Sequence, residues 1–190
     1  MFDNLDSFTY NLYDYLLQCG ATCEVIRNNS SAEDWENLQF DAAVLSPGPG
    51  RPLNSGNLLK FINTFFEKIP IYGICLGHQA IGISRGGILK HGFKPMHGKV
   101  SKIKHVEHPQ YKNLPINIEV CRYHSLVLDS THLSEFEITA STAEGEVMSI
   151  AHKKFPVWGV QYHPEAILTE HGLQLIKNWM YYSTNQECPL

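Results

Sequence analysis

From residue 7 to residue 84 the chain alternates helix-period segments with short apolar runs, and this order restricts the fold more than any other feature. SFTYNLYDYLLQCG (7–20) places Phe8, Leu12 and Leu16 on one helical face, with Ser7 as the expected N-cap and Gly20 as the stop. TCEVIR (22–27) has the composition of a strand, and DAAVLS (41–46) is a clearer one, ended by PGPG. LLKFINTFFEK (58–68) returns to helical spacing, PIYGI (70–74) is a short strand, and LGHQAIGIS (76–84) begins another helix. Such alternation predicts a parallel sheet with helices on both faces. The opening departs from this scheme. Only Met1 and Phe2 precede Asp3 and Asn4, so either the first strand is very short or the sequence lacks its beginning.

The second half changes character. KVSKIKH, NIEVCRYH, EITAST, EVMSIAH and VWGVQYH read as strands joined by short loops, partly antiparallel. TEHGLQLIKNWMYY (169–182) is expected to close the chain as an amphipathic helix, with Leu173, Ile176 and Met180 on one face. No linker, repeat or low-complexity tract interrupts the 190 residues, so a single domain is expected over 1–190.

Composition removes several classes of function. The 15 Lys and Arg are scattered, with no basic helix or stripe to follow a nucleic acid. The apolar runs are too short to span a bilayer. MFDNLDSF has neither a charged n-region nor an apolar h-region, so no signal peptide is expected and the cytoplasm is the expected compartment. Five cysteines (Cys19, Cys23, Cys75, Cys121 and Cys188) form no CxxC pair, and free thiols are expected.

Chemistry concentrates in three places. In GICLGHQ (73–79) a strand runs into a helix through Gly-x-Cys-x-Gly. Glycines on either side permit a sharp turn that lifts the central side chain into the crevice at the carboxyl end of the sheet. The helix N-terminus behind Cys75 favours a thiolate, and the Leu76 N–H faces the same space. In GVQYHPE (159–165) His163 ends an apolar strand, and Glu165 follows two positions later, on the same side of an extended chain. A carboxylate so placed fixes the imidazole tautomer and steadies the imidazolium. SPGPG (46–50) is a rigid loop whose N–H groups can approach a substrate closely. Each has an ordinary reading in isolation: a buried structural cysteine, a solvated His–Glu pair, a stiff turn.

Together, and in this order, SPGPG, GICLGHQ, RYHSL (122–126) and GVQYHPE closely resemble the motifs of the class I (triad) glutamine amidotransferases. The similarity runs from DNLDSFTYN (3–11) to the last helix. DNLDSFTYN, MHGK (96–99) and RYHSLV (122–127) resemble the branch of glutaminase subunits that serve chorismate-using synthases: anthranilate synthase component II and its aminodeoxychorismate synthase relative. The resemblance implies a three-layer α/β fold around a mixed, largely parallel sheet. It implies that Cys75 attacks the side-chain amide of L-glutamine, that His163 carries the proton and that Glu165 orients His163. Gly48 and Leu76 would form the oxyanion hole, and Gly50, Gln79, Ser125 and Leu126 would hold the substrate. Ammonia would pass to a larger chorismate-binding subunit in a heteromer. No metal or organic cofactor is expected in this subunit, with Mg²⁺ expected on the partner. The alternatives are an amidotransferase subunit of another synthase, such as GMP synthase, or a non-catalytic subunit that only stabilises its partner.

KPMHGK and HPEA lean towards the folate branch over the tryptophan branch. Two positions depart from the family: Ala166 where a serine often follows HPE, and Arg85 where an apolar or aromatic residue is usual. HVEH (105–108) and HGFKPMH (91–97) carry histidines without the three or four ligands a metal site needs.

Overall fold

The computed structural model describes residues 1–184; Cys188 lies outside the described residues. In chain order the elements are β1 (Phe2–Asp3), α1 (Thr9–Gln18), β2 (Ile26–Arg27), α2 (Glu33–Glu36), β3 (Ala43–Leu45), α3 (Leu58–Phe65), β4 (Ile71–Ile74) and α4 (Leu76–Ser84). There follow β5 (Leu89–His91), β6 (Lys99–His105), β7 (Asn117–Arg122), β8 (Leu126–Leu128), β9 (Phe136–Thr142), β10 (Val147–His152), β11 (Val157–Val160) and α5 (Gly172–Thr184).

Nine strands form one sheet in the order β2-β1-β3-β4-β11-β10-β9-β6-β7, and β5 and β8 make a separate antiparallel pair. The junctions from β2 to β11 are parallel, and those from β11 to β7 are antiparallel. The sheet is mixed as expected, though its parallel part is confined to one half. β3, β4 and β11 lie in the middle of three layers and are buried along their whole length, which is why they read as unbroken apolar runs.

Helices cover both faces. Leu12 and Leu16 of α1 and Leu175, Ile176 and Trp179 of α5 pack with Val44, Tyr72 and Val160 in one core. Leu58, Phe61 and Ile62 of α3 and Ala80 and Ile81 of α4 pack with Leu45, Ile71 and Ile150 in the other. Helix α4 is buried from Leu76 to Gly82, so it is apolar nearly all round instead of striped.

Several local expectations are corrected. Phe8, not Ser7, holds the N-cap of α1, with no side-chain cap. Asp3 and Asp6 take over the turn instead: Asp3 Oδ1 accepts from the Leu5 N–H and from Thr9 Oγ1, and Asp6 Oδ1 accepts from the Phe8 N–H. Gly20 does end the helix, at φ +87°, with the Ala21 N–H returning to the Leu16 carbonyl. The strand expected over 22–27 forms only at Ile26–Arg27, because 22–25 find no sheet partner. The short helix α2 and the β5–β8 pair carry no clear period in the sequence. The first strand is two residues long, yet it sits between β2 and β3 in parallel register.

Candidate active site

The turn from β4 into α4 is as sharp as the sequence implies. Cys75 holds φ +50°, a left-handed conformation that costs a non-glycine residue energy and persists here because both flanking elements are buried. Its N–H donates to the Val160 carbonyl of β11 at 2.8 Å, and its carbonyl accepts from the Gln79 N–H at 3.0 Å. Gly73 and Gly77 have no alternative. A Cβ on Gly73 would stand 2.5 Å from the Gly77 carbonyl carbon, and one on Gly77 would stand 2.6 Å from the Leu45 carbonyl oxygen. The elbow is therefore pressed onto β3, the strand that leads into SPGPG.

β11 is parallel to β4 and ends beside it, with Val160 opposite Ile74. Three residues later His163 Nδ1 bonds Glu165 Oε1 at 2.7 Å, both side chains being almost completely buried. Glu165 Oε2 has no hydrogen-bond partner among the described residues, nor has His163 Nε2, the nitrogen left free for Cys75. Burial lowers the His163 pKa, but the Cys75 sulfur, followed by the Glu165 carboxylate, overrides it and leaves His163 well above its ordinary value. The ring meets two aromatics edge-on, Tyr123 at 5.0 Å and Phe8 at 5.8 Å, and these two also touch each other at 5.5 Å. Its backbone is also held. The His163 N–H donates to the Cys121 carbonyl at 3.0 Å, and Thr169 Oγ1 donates to the His163 carbonyl at 2.6 Å.

A pocket of about 200 Å³ opens at this place, lined by Gly48, Pro49, Gly50, Cys75, Leu76, Gln79, His97, Tyr123, His124, Ser125 and Leu126. It gathers Cys75 and all six residues expected to bind substrate or oxyanion. Leu76 is the first residue of α4, so its N–H has no acceptor within the helix. Gly48 packs so closely that a Cβ would lie 2.7 Å from both the Asn4 carbonyl and Leu76 Cδ2. Gln79 lines the pocket with its amide donor already engaged, giving to the Leu126 carbonyl at 3.0 Å and to Gln161 Oε1 at 3.1 Å. A larger cavity of about 480 Å³ lies at the opposite, amino end of the parallel strands and contains none of the expected site residues.

The structure adds residues that sequence reading missed. Gln161 Nε2 donates to Cys75 Sγ at 3.6 Å. It alternates with His163 just beyond the end of β11, a period-two signal that was present in GVQYHPE. Asn4 fastens the SPGPG loop: its N–H donates to Ser46 Oγ and its Nδ2 to the Ser46 carbonyl, each at 2.8 Å. His124 also faces the pocket, and nothing local in RYHSL marked it out.

The two histidines of HVEH have structural partners. His105 is held between the Val106 and Pro115 carbonyls and stacks on Tyr111, and His108 accepts from the Gln110 N–H. Among the described residues no group of three His, Cys, Asp or Glu side chains is arranged to hold a metal ion. Arg85 lies over the Phe66 ring at 3.6 Å and bonds Asn63. Ala166 is buried in the turn after the HPE segment, where its carbonyl accepts from the Thr169 N–H. No helix of the described residues is long and apolar enough to cross a membrane.

Comparison with known proteins agrees with this geometry. The chain is 43% identical over 182 residues to the aminodeoxychorismate/anthranilate synthase component 2 of Bacillus subtilis, covering 95% of this chain and 94% of that protein. It is 44% identical over 187 residues to the anthranilate synthase component 2 of Pseudomonas aeruginosa, covering 95% and 93%. Against the multifunctional tryptophan biosynthesis protein of Pichia angusta it is 45% identical but spans only 49% of the relative, and it spans 31% of the bifunctional protein TrpGD of Thermotoga maritima. Its fold superposes on a Thermoplasma acidophilum protein assigned to GMP synthase with a TM-score of 0.83 at 25% identity, covering 97% of this chain and 95% of that one. The family model for glutamine amidotransferase class-I matches residues 1–182, and the chain belongs to that family.

Proposed function

We propose that this chain hydrolyses L-glutamine to glutamate and passes the ammonia to a chorismate-binding synthase subunit. The observation that carries the chemistry is the Cys75 elbow set against a buried, raised-pKa His163 whose far nitrogen is held by Glu165. The chorismate partner is supported by full-length relatives named anthranilate or aminodeoxychorismate synthase component 2.

In this reading His163 Nε2 takes the Cys75 proton, and the Gln161 amide N–H points at the sulfur. Sγ attacks the side-chain carbonyl carbon of glutamine. Negative charge gathers on the oxygen, where the Gly48 and Leu76 N–H groups receive it, each such donor being worth ~2.7–4 kcal/mol in a transition state. The imidazolium then protonates the leaving nitrogen, and ammonia departs. Water, deprotonated by His163, cleaves the γ-glutamyl thioester and restores the thiol. Glu165 keeps the ring in one tautomer throughout. Gly50, Gln79, Ser125 and Leu126 form the substrate walls. These steps use no metal or organic cofactor in this subunit, and Mg²⁺ belongs to the partner's chorismate site.

The test mixes this protein with candidate chorismate-binding subunits, chorismate, Mg²⁺ and either glutamine or ammonium. Aromatic amine is expected from both nitrogen sources with wild type and from ammonium alone with Cys75→Ser. Ortho product assigns the tryptophan branch; para product, after the lyase of the folate route, assigns the other. Glutamine-dependent product that survives Cys75→Ser refutes the mechanism. Ammonia delivered only to a different synthase refutes the partner.

A further inference from the structure

Gln161 is the first residue after β11, and its side chain is closed to solvent. Its neighbours decide which end of the amide faces Cys75. The Leu126 carbonyl, at the start of β8, can only accept, so the atom of Gln79 that bonds it at 3.0 Å is the amide nitrogen. The same nitrogen lies 3.1 Å from the Gln161 amide, which must therefore present its oxygen to Gln79. The Gln161 nitrogen is left pointing the other way, and it donates to Cys75 Sγ at 3.6 Å. Two amides thus run in one direction from the backbone of β8 to the nucleophile. Both are anchored: the Gln161 N–H donates to the Met148 carbonyl of β10 at 2.9 Å, and the Gln79 N–H to the Cys75 carbonyl at 3.0 Å.

This donor is unequally matched to the two states of the sulfur. A neutral thiol is a weak acceptor, so a buried amide N–H facing it is poorly satisfied. A thiolate is an anion, and a hydrogen bond to it is charge-assisted and about twice as strong. The proton has a receiver. Burial lowers the His163 pKa, and the Cys75 sulfur is first among the groups that raise it.

Resting on the reading that this chain is a glutaminase, we infer that Gln161 is a catalytic residue whose amide N–H holds Cys75 as the thiolate before attack, with Gln79 and the Leu126 carbonyl as positioning groups that aim it. The proton passes from Sγ to His163 Nε2, the electron pair stays on sulfur, and Gln161 keeps its own protons. In the thioester the sulfur is neutral and the preference vanishes; hydrolysis restores it. Gln161 is not part of the pocket lining, so it acts on the nucleophile and not on substrate affinity.

Gln161→Met keeps length and bulk and removes the donor. The first readout is alkylation of Cys75 by iodoacetamide on the purified chain without glutamine, followed on the Cys75 peptide by mass spectrometry. At pH ~7 the rate should fall about tenfold or more. The deficit should close to within about twofold by pH ~10, where the solvent ionises the thiol in either protein. A merely structural loss would lower the rate by one factor at every pH. The second readout is hydrolysis by the complex with its partner: kcat for L-glutamine should fall about tenfold or more with KM within about threefold. Ammonium-supported synthesis by the same complex controls for folding and assembly. A deficit equal at all pH values, an unchanged rate at pH ~7, or a raised KM with unchanged kcat overturns the inference.

A third measurement leaves Gln161 in place. Nitrogen-15 NMR of glutamine side chains should show one amide pair that titrates in wild type and is flat over the same pH range in Cys75→Ser. No titrating pair, or one that titrates equally in both proteins, overturns the inference. A wild-type complex that does not hydrolyse L-glutamine removes the glutaminase reading instead, while the alkylation profile still decides whether Gln161 holds the thiolate.

Discussion

Glu165→Gln is the most informative single substitution, because it alters charge and little else. The carboxylate bonds His163 Nδ1 at 2.7 Å through one oxygen, and the other oxygen is buried without a partner. The imidazolium is therefore its main compensation. Two unit charges with centres about 4 Å apart attract by ~4 kcal/mol at an effective dielectric of about 20. Glutamine keeps the shape and one neutral hydrogen bond, which returns ~1 kcal/mol. The remaining ~3 kcal/mol falls on the protonated state of His163 and corresponds to roughly 10²-fold in kcat. The direction of the pKa change is downward, since Glu165 is among the groups that raise His163. Steady-state hydrolysis of glutamine by the complex measures the loss, and ammonium-supported synthesis by the same complex controls for folding. Alkylation of Cys75 at neutral pH should slow as well. A kcat within about threefold of wild type, with the protein folded, would falsify the view that the Glu165 charge sustains the imidazolium.

Three further outcomes follow from the geometry. His78, fully buried, and His124 are both held down to about 3, so from pH ~6.5 downward the unfolded chain binds protons the folded chain refuses, and each costs ~1.4 kcal/mol of stability per pH unit. His163, raised, keeps its whole contribution below pH ~6.5 and loses it only as pH rises through its folded value, so it does not offset the acid loss; equal urea midpoints at pH ~7 and ~5 would refute this. Glu146→Ala leaves Arg122 buried without its counter-ion and should cost ~3–5 kcal/mol in urea unfolding, and a change below ~1 kcal/mol would show that water reaches the pair. Gly77→Ala forces a methyl to within 2.6 Å of the Leu45 carbonyl and should cost ~1–3 kcal/mol together with glutaminase activity; a stable, fully active variant would mean that the elbow yields.

The buried strands and the helix behind the elbow were legible because their sequences answer to one demand at a time. β4 is buried throughout and α4 from Leu76 to Gly82, and the Gly-x-Cys-x-Gly spacing is what a strand pressed against the next helix requires. The ends of elements were less legible. Ser7 looked like a cap, but Asp3 and Asp6 compete for the same turn and win with four side-chain bonds. Strand 22–27 carried β-type residues, yet pairing is a tertiary matter, and only Ile26–Arg27 meet β1. In the site, Cys75, His163 and Glu165 follow from local pattern. Gln161 shares the period of His163, but its partner Cys75 stands 86 positions away, and His124 is marked only by the pocket that distant segments assemble around it.

The pairing of β4 with β11 has a consequence for how this protein can vary. Four rungs, from Val157 against Ile71 to Val160 against Ile74, align the strand that ends in the thiol with the strand that ends in the base. The ladder continues one step further, through the Cys75 N–H to the Val160 carbonyl. Nucleophile and base thus find each other by counting rungs, and the chain between them is an excursion that builds the antiparallel half of the same sheet before it returns. Loops between the outer strands β6 and β7 can lengthen without disturbing that count. Losing one residue from Val157–Val160 would turn the base to the opposite face of the sheet while leaving every catalytic side chain in the sequence.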